Sequence, residues 1–123
     1  MFPNSKPSTK ENINKAIDLM QSLSSDLGGT EILGPIKAIN KKPVLKGHPR
    51  LVFLLTDGEV WNVDNIFEEI KNNVRKTRYY SIGIGNGVSQ DLIIRVAKAG
   101  NGQYEFVSDS NHELLKEKSL RLV

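Results

Sequence analysis

The chain has 123 residues, one domain's worth, and its 38% hydrophobic and 25% charged residues exclude wholesale disorder. Its net charge of +3 comes from Lys and Arg scattered among acids, without the basic run that a nucleic-acid surface needs. Zero cysteines exclude a disulfide scaffold, a cysteine nucleophile and thiolate metal sites, and fit the reducing cytoplasm as the expected compartment.

No apolar run approaches the length of about 18 residues that a membrane span needs. The opening Met1-Phe2-Pro3-Asn4-Ser5-Lys6-Pro7 lacks a signal peptide's apolar core and reads as an extended lead-in. Ser8 and Glu11 have the spacing of a capping box. Behind them Ile13, Ala16, Ile17, Met20 and Leu23 recur at helical spacing, which predicts a helix from about Thr9 to Ser24 with its Met and Ile stripe in the core. Gly28-Gly29-Thr30 breaks that pattern. A shorter helix follows, with Ile32, Leu33, Ile36 and Ile39 on one side and Pro35 best tolerated in its first turn. Asn40 to Arg50 reads as a basic loop.

Leu51-Val52-Phe53-Leu54-Leu55 then runs straight into Thr56-Asp57-Gly58-Glu59. A continuous apolar run of that kind predicts a strand buried on both faces of a parallel sheet. Ile66, Phe67, Ile70 and Val74 mark a helix from about Asp64 to Lys76, and Tyr79 to Ile84 a second strand ending in Gly85-Asn86-Gly87. Ser89 is placed to cap a helix through Leu92, Ile93, Val96 and Ala97 that stops at Gly100. Gln103 to Val107 reads as a third strand, and Ser110 to Glu113 as a capping box that opens a last helix. From Leu51 onward strands and helices alternate as in a parallel α/β sheet. The front does not alternate: two helices precede any strand, so the sequence reads as beginning partway through a larger domain.

Asp57 is the leading candidate for chemistry, because open α/β sheets bind ligands at the carboxyl ends of their strands. With Thr30 it would offer a carboxylate and a hydroxyl, hard oxygen ligands suited to Mg²⁺, Mn²⁺ or Ca²⁺. The competing reading makes Asp57 and Glu59 caps of the turn and Thr30 a helix N-cap. Gly83-Ile84-Gly85-Asn86-Gly87 lacks the dinucleotide spacing, since Val88 stands where a third glycine belongs. His48 and His112 share no motif with a serine nucleophile, which argues against a hydrolytic triad. Trp61 is either a partner-binding anchor at the rim of the turn or a residue packed on the sheet edge.

Gly28-Gly29-Thr30-Glu31-Ile32-Leu33, Leu51 to Val60, Tyr80-Ser81-Ile82-Gly83-Ile84-Gly85 and Ala99 to Val107 together resemble the von Willebrand factor A (vWA) domain. The similarity is strongest to the branch of von Willebrand A domain-containing 5 proteins, vault poly(ADP-ribose) polymerase and inter-alpha-trypsin inhibitor heavy chains. The resemblance implies a doubly wound, Rossmann-like α/β sheet with helices on both faces and a metal-ion-dependent adhesion site. In such a site Thr30 and Asp57 match the family's threonine and its later aspartate as metal ligands. Gly29, Gly58, Glu59, Trp61, Gly85 and Asn86 would form a partner-binding rim, and an acidic side chain of a protein partner would complete the coordination.

The family's Asp-x-Ser-x-Ser motif is missing from these residues, as are its first strand, the helix after it and the next strand. The chain therefore reads as a single partial vWA domain over 1–123, retaining the carboxyl-terminal two-thirds of the fold. Its expected function is a non-enzymatic protein-interaction module with an incomplete cation site, binding Mg²⁺ weakly or not at all. The strand at 51–56, short of a neighbour, is expected to pair with another chain in a homo-oligomer. Two alternatives stand beside this: a receiver-like phosphoacceptor domain using Asp57, and a structural remnant without binding activity.

Overall fold

In the computed structural model, which describes residues 4–23, 29–58, 60, 63–108, 117, 118, 120 and 121, the regular elements follow the expected order. They run α1 (Lys10–Gln21), α2 (Leu33–Lys41), β1 (Arg50–Thr56), α3 (Val63–Asn73), β2 (Thr77–Ile84), α4 (Gln90–Ala99) and β3 (Tyr104–Val107). The strands form one parallel sheet in the order β1-β2-β3, with Phe53 level with Tyr80 and Ile82 level with Glu105. Ser110, His112 and Glu113 lie outside the described residues, while 117, 118, 120 and 121 are helical.

Local chemistry explains most boundaries. Ser89 caps α4 by accepting from the Leu92 amide at 3.3 Å, and Gly100 follows its last turn. Gly100 and Gly102 are required for a second reason: a Cβ on either would stand 2.4 Å and 2.1 Å from atoms of Tyr79. Pro35 falls in the first turn of α2, where its missing N–H costs nothing. At α1 the cap is Thr9, one residue later than the Ser-x-x-Glu spacing suggests. Its hydroxyl accepts from Asn12, and Glu11 pairs with Lys15 at 2.6 Å.

The core sits on one face of the sheet. Ile32 just before α2, Ile36 of α2, Ile66, Phe67 and Ile70 of α3, and Leu92 and Val96 of α4 close over Tyr79, all of them buried. Burying side chains of that size is worth roughly 1.5–3 kcal/mol each, which makes this cluster the main source of stability. At its base Tyr79 donates to Asn40 Oδ1, and the Asn40 amide donates to Glu69 at 2.9 Å. Asn73 also donates to the Glu69 carboxylate, at 3.1 Å, so this polar network joins α2, α3 and β2. On the opposite face Tyr80, Ile82 and Val107 form a smaller cluster, beside which Lys118 donates to the Phe106 carbonyl.

Two expectations about burial need correcting. No residue of α1 is buried, and Ile13, Ile17 and Met20 are 46%, 45% and 69% exposed. The helical stripe is real, yet no described element packs over it. Likewise β1 is the sheet's edge strand, and it is not buried on both faces. Val52 and Leu54 pack on the main core, whereas Leu51, Phe53 and Leu55 are 40%, 40% and 49% exposed. Alternating burial emerges because one face is covered by helices and the outer edge has no neighbour among the described residues.

Candidate functional site

Parallel strands bring all three carboxyl ends to one side of the sheet, and Asp57 stands there, exposed, one residue beyond β1. The turn that carries it is shaped by Thr56, whose Oγ1 accepts the Gly58 N–H at 3.3 Å. Thr56 is itself buried, so the turn is anchored in the fold while Asp57 points away from it. Sequence reasoning overlooked Thr56, although a hydroxyl two residues before a glycine is a recognisable turn signal.

Thr30 reaches the same place from α2's leading segment. A Cβ on Gly58 would meet Thr30 Oγ1 at 2.7 Å and Thr30 Cβ at 3.6 Å. Glycine is needed here because the threonine fills the space a side chain would take. Residues 28 positions apart in sequence thus come together, with Asp57 next to Gly58 in the chain.

Neither capping role is taken up among the described residues. The N-cap position of α2 is Ile32, whose side chain makes no capping bond, and Glu31 just outside it accepts from the Gly34 amide through Oε1 at 3.1 Å. Thr30 is one residue too early for that task. The turn at 56–58 is closed by the Thr56 hydroxyl, which leaves the Asp57 carboxylate out of it.

The remaining rim residues divide. Gly29 borders Thr30 and is exposed. Gly85, with φ +82°, bends the chain away from β2 and donates its amide to Val107 at 2.8 Å, which carries exposed Asn86 to the same end of the sheet. Glu59 and Trp61 lie outside the described residues. Among the described residues no group of three or more His, Asp or Glu is placed to hold a metal. One hydroxyl and one carboxylate fall short of the six or more oxygens that Mg²⁺ or Ca²⁺ takes, so the described residues do not make a complete dication site.

Beside this corner, along the outer edge of β1, runs an open groove of about 500 Å³. Its lining includes Thr30, Ile32, Ile36 of α2, and Val52 and Leu54 of β1. At the far end of β1, Arg50 donates to the carbonyls of Ile39, Lys42 and Pro43 at 2.7, 2.6 and 3.0 Å, fastening the basic loop to the strand.

A family model described as von Willebrand factor type A domain matches residues 1–106. The chain is 42% identical over 107 residues to von Willebrand factor A domain-containing protein 5A of Rattus norvegicus, covering 87% of this chain and 13% of that protein. It is 37% identical over 121 residues to protein 5B1 of Mus musculus, covering 98% of this chain and 10% of that one. The chain thus spans only about an eighth to a tenth of the curated relatives it matches. Among solved structures, proximal thread matrix protein 1 from the mussel byssus superposes with a TM-score of 0.73 at 26% identity, over 98% of this chain and 32% of that one. A form of the same mussel protein described as having a zinc-occupied MIDAS motif gives 0.69 at 20% identity, over 93% and 29% of the two chains. BatB from Bacteroides thetaiotaomicron gives 0.69 at 17% identity, over 89% of this chain and 68% of that one.

Proposed function

The chain belongs to the von Willebrand factor type A family, and on that premise we propose that it is a non-enzymatic protein-interaction module whose cation site is incomplete. The observation that carries this reading is the contact of Thr30 with Gly58, beside an Asp57 that no capping role engages among the described residues. On this reading the Thr30 hydroxyl and the Asp57 carboxylate are two hard oxygen donors at the end of the sheet where open α/β folds take their ligands. Two such donors hold a dication only when other groups supply the rest of its coordination. The mussel protein's zinc-occupied motif supports the idea that this architecture carries a cation when its donor set is whole.

The partner chemistry proposed for this corner is an acidic side chain of another protein, drawn to a cation that Thr30 and Asp57 help to hold. The open edge of β1 is a second contact surface, adjacent to the first and able to take an extended strand. Neither surface breaks or makes a covalent bond.

Isothermal calorimetry with MgCl₂ tests the incompleteness. The chain alone is expected to show no saturable micromolar binding, and Asp57→Ala is expected to leave the trace unchanged. Micromolar affinity that vanishes in Asp57→Ala would overturn the reading of half a site. Acetyl phosphate should leave Asp57 unmodified; an aspartyl phosphate there would favour phosphoacceptor chemistry instead.

A further inference from the structure

We propose that the cleft between α3 and α4 takes a carboxylate side chain from an acidic segment of a partner protein. This goes beyond the Asp57 corner and uses no cation. It rests on the interaction-module reading only in taking the partner to be a protein.

The cleft is built by the two crossover helices of the sheet. α3 joins β1 to β2, and α4 joins β2 to β3. Phe67 and Lys71 of α3 line it together with Arg95, Lys98 and Ala99 of α4, around a volume of about 260 Å³. α3 packs against α2 on one side and against α4 on the other. An element added beyond β1 would meet the side of α2 that borders the β1 groove, with α3 standing between it and this cleft.

Its floor is fixed. The Arg95 guanidinium lies over the Phe67 ring, 3.9 Å from the centroid. Asp91 Oδ2 and Asp64 Oδ1 each accept from it at 3.2 Å. Those two carboxylates stand outside the cleft lining, which contains no acid. Lys71 and Lys98 are exposed, and neither makes an ion pair among the described residues. A lysine in the last turn complements its helix dipole, which accounts for each of them singly. It does not account for both opening, with Arg95, on one cleft.

Charge identifies the ligand. Three cations against the two aspartates leave one net positive charge, which a single carboxylate neutralises. A phosphoryl group carries about −1.5 to −2 at neutral pH and would leave excess negative charge beside Asp64 and Asp91. Phe67, Ala99 and the lysine methylenes give the cleft an apolar lining, which suits a carboxylate borne on a methylene stem, as in glutamate. Nucleic acid fits poorly, because the one aromatic ring here is buried beneath Arg95 and offers no face for a base to stack on.

The test titrates an acetylated, amidated glutamate-rich peptide into the isotope-labelled chain and follows its amide resonances. EDTA keeps the cation site out of the measurement. Saturable shifts are expected at Lys71, Arg95, Lys98 and Ala99, with a Kd on the order of millimolar at low salt, because exposed ion pairs are individually weak. Lys71→Gln combined with Lys98→Gln should weaken binding about tenfold. Lys41→Gln combined with Lys46→Gln removes the same charge from exposed residues of another region and should change it little. All four side chains are exposed, so neither combination threatens the fold. Equal weakening by the two combinations would reveal attraction to net charge alone and overturn the proposal. The absence of saturable shifts would overturn it too, as would tighter binding of a phosphoserine peptide or of a single-stranded DNA oligonucleotide at these residues.

Discussion

Gly58 and Thr30 are packed so closely that a single methyl group on residue 58 would stand 2.7 Å from the threonine hydroxyl. That contact ties the turn after β1 to the segment before α2 and brings residues from two distant parts of the chain together. Gly58→Ala must displace Thr30. Overpacking of this kind costs about 1–3 kcal/mol. Adding Thr30→Ala should return most of that loss, so the double-mutant cycle from urea midpoints should be clearly non-additive. Additive effects would show that the two residues do not constrain each other.

Gly102 makes a harsher version of the same argument. Its hypothetical Cβ lies 2.1 Å from the Tyr79 carbonyl oxygen, a main-chain atom that cannot rotate aside. Gly102→Ala should therefore cost more than Gly58→Ala, at least about 3 kcal/mol, the upper end of overpacking penalties. Thermal denaturation of the two variants side by side checks the ranking. The stronger effect belongs to the glycine far from the candidate site.

Tyr79 supplies a pH dependence. Burial pushes its hydroxyl above the ordinary tyrosine value; the hydrogen bond to Asn40 acts the other way, Glu69 adds to the rise, and Arg50 opposes it. A folded-state value above the unfolded one, about 10, means that the contribution to stability is complete below that pH. It is lost as pH rises through the folded value. Urea midpoints should fall in alkaline solution beyond pH about 10, and Tyr79→Phe should remove part of that fall. At neutral pH the same variant should lose about 1 kcal/mol, because Asn40 Oδ1 then lacks its donor. Parallel pH profiles for the two proteins would contradict this account.

Elements with strong local signals were legible from residues alone. Ser89, Gly100 and Pro35 have their effect within a few positions, and each sits where its chemistry demands. The edge character of β1 was not legible, because Leu51 to Leu55 are all apolar and carry no period-2 contrast. Alternate residues are exposed because helices cover one face of β1 and no described strand lies beyond its outer edge. In α1 a helical stripe reports which side would be buried, and says nothing about whether a partner element is there. The link from Asn40 to Tyr79 spans 39 residues and has no local signature. Within the candidate site, Asp57 stands out by its place at the carboxyl end of an apolar run, with Thr30 as a second hard oxygen donor, and the likeness to a family motif adds the role of metal ligand. That Glu31, and not Thr30, satisfies a first-turn amide of α2 depended on which side chain reaches Gly34.

The central claim is that Thr30 and Asp57 form half of a cation site beside a strand edge that accepts the missing donors. The most direct measurement adds, in trans, a peptide of alternating apolar residues ending in Asp-x-Ser-x-Ser and titrates MgCl₂ by calorimetry. Saturable Mg²⁺ binding is predicted only when chain and peptide are both present, and it should be lost in Thr30→Ala and in Asp57→Ala. Tight binding by the chain without peptide, or none with it, would contradict the account.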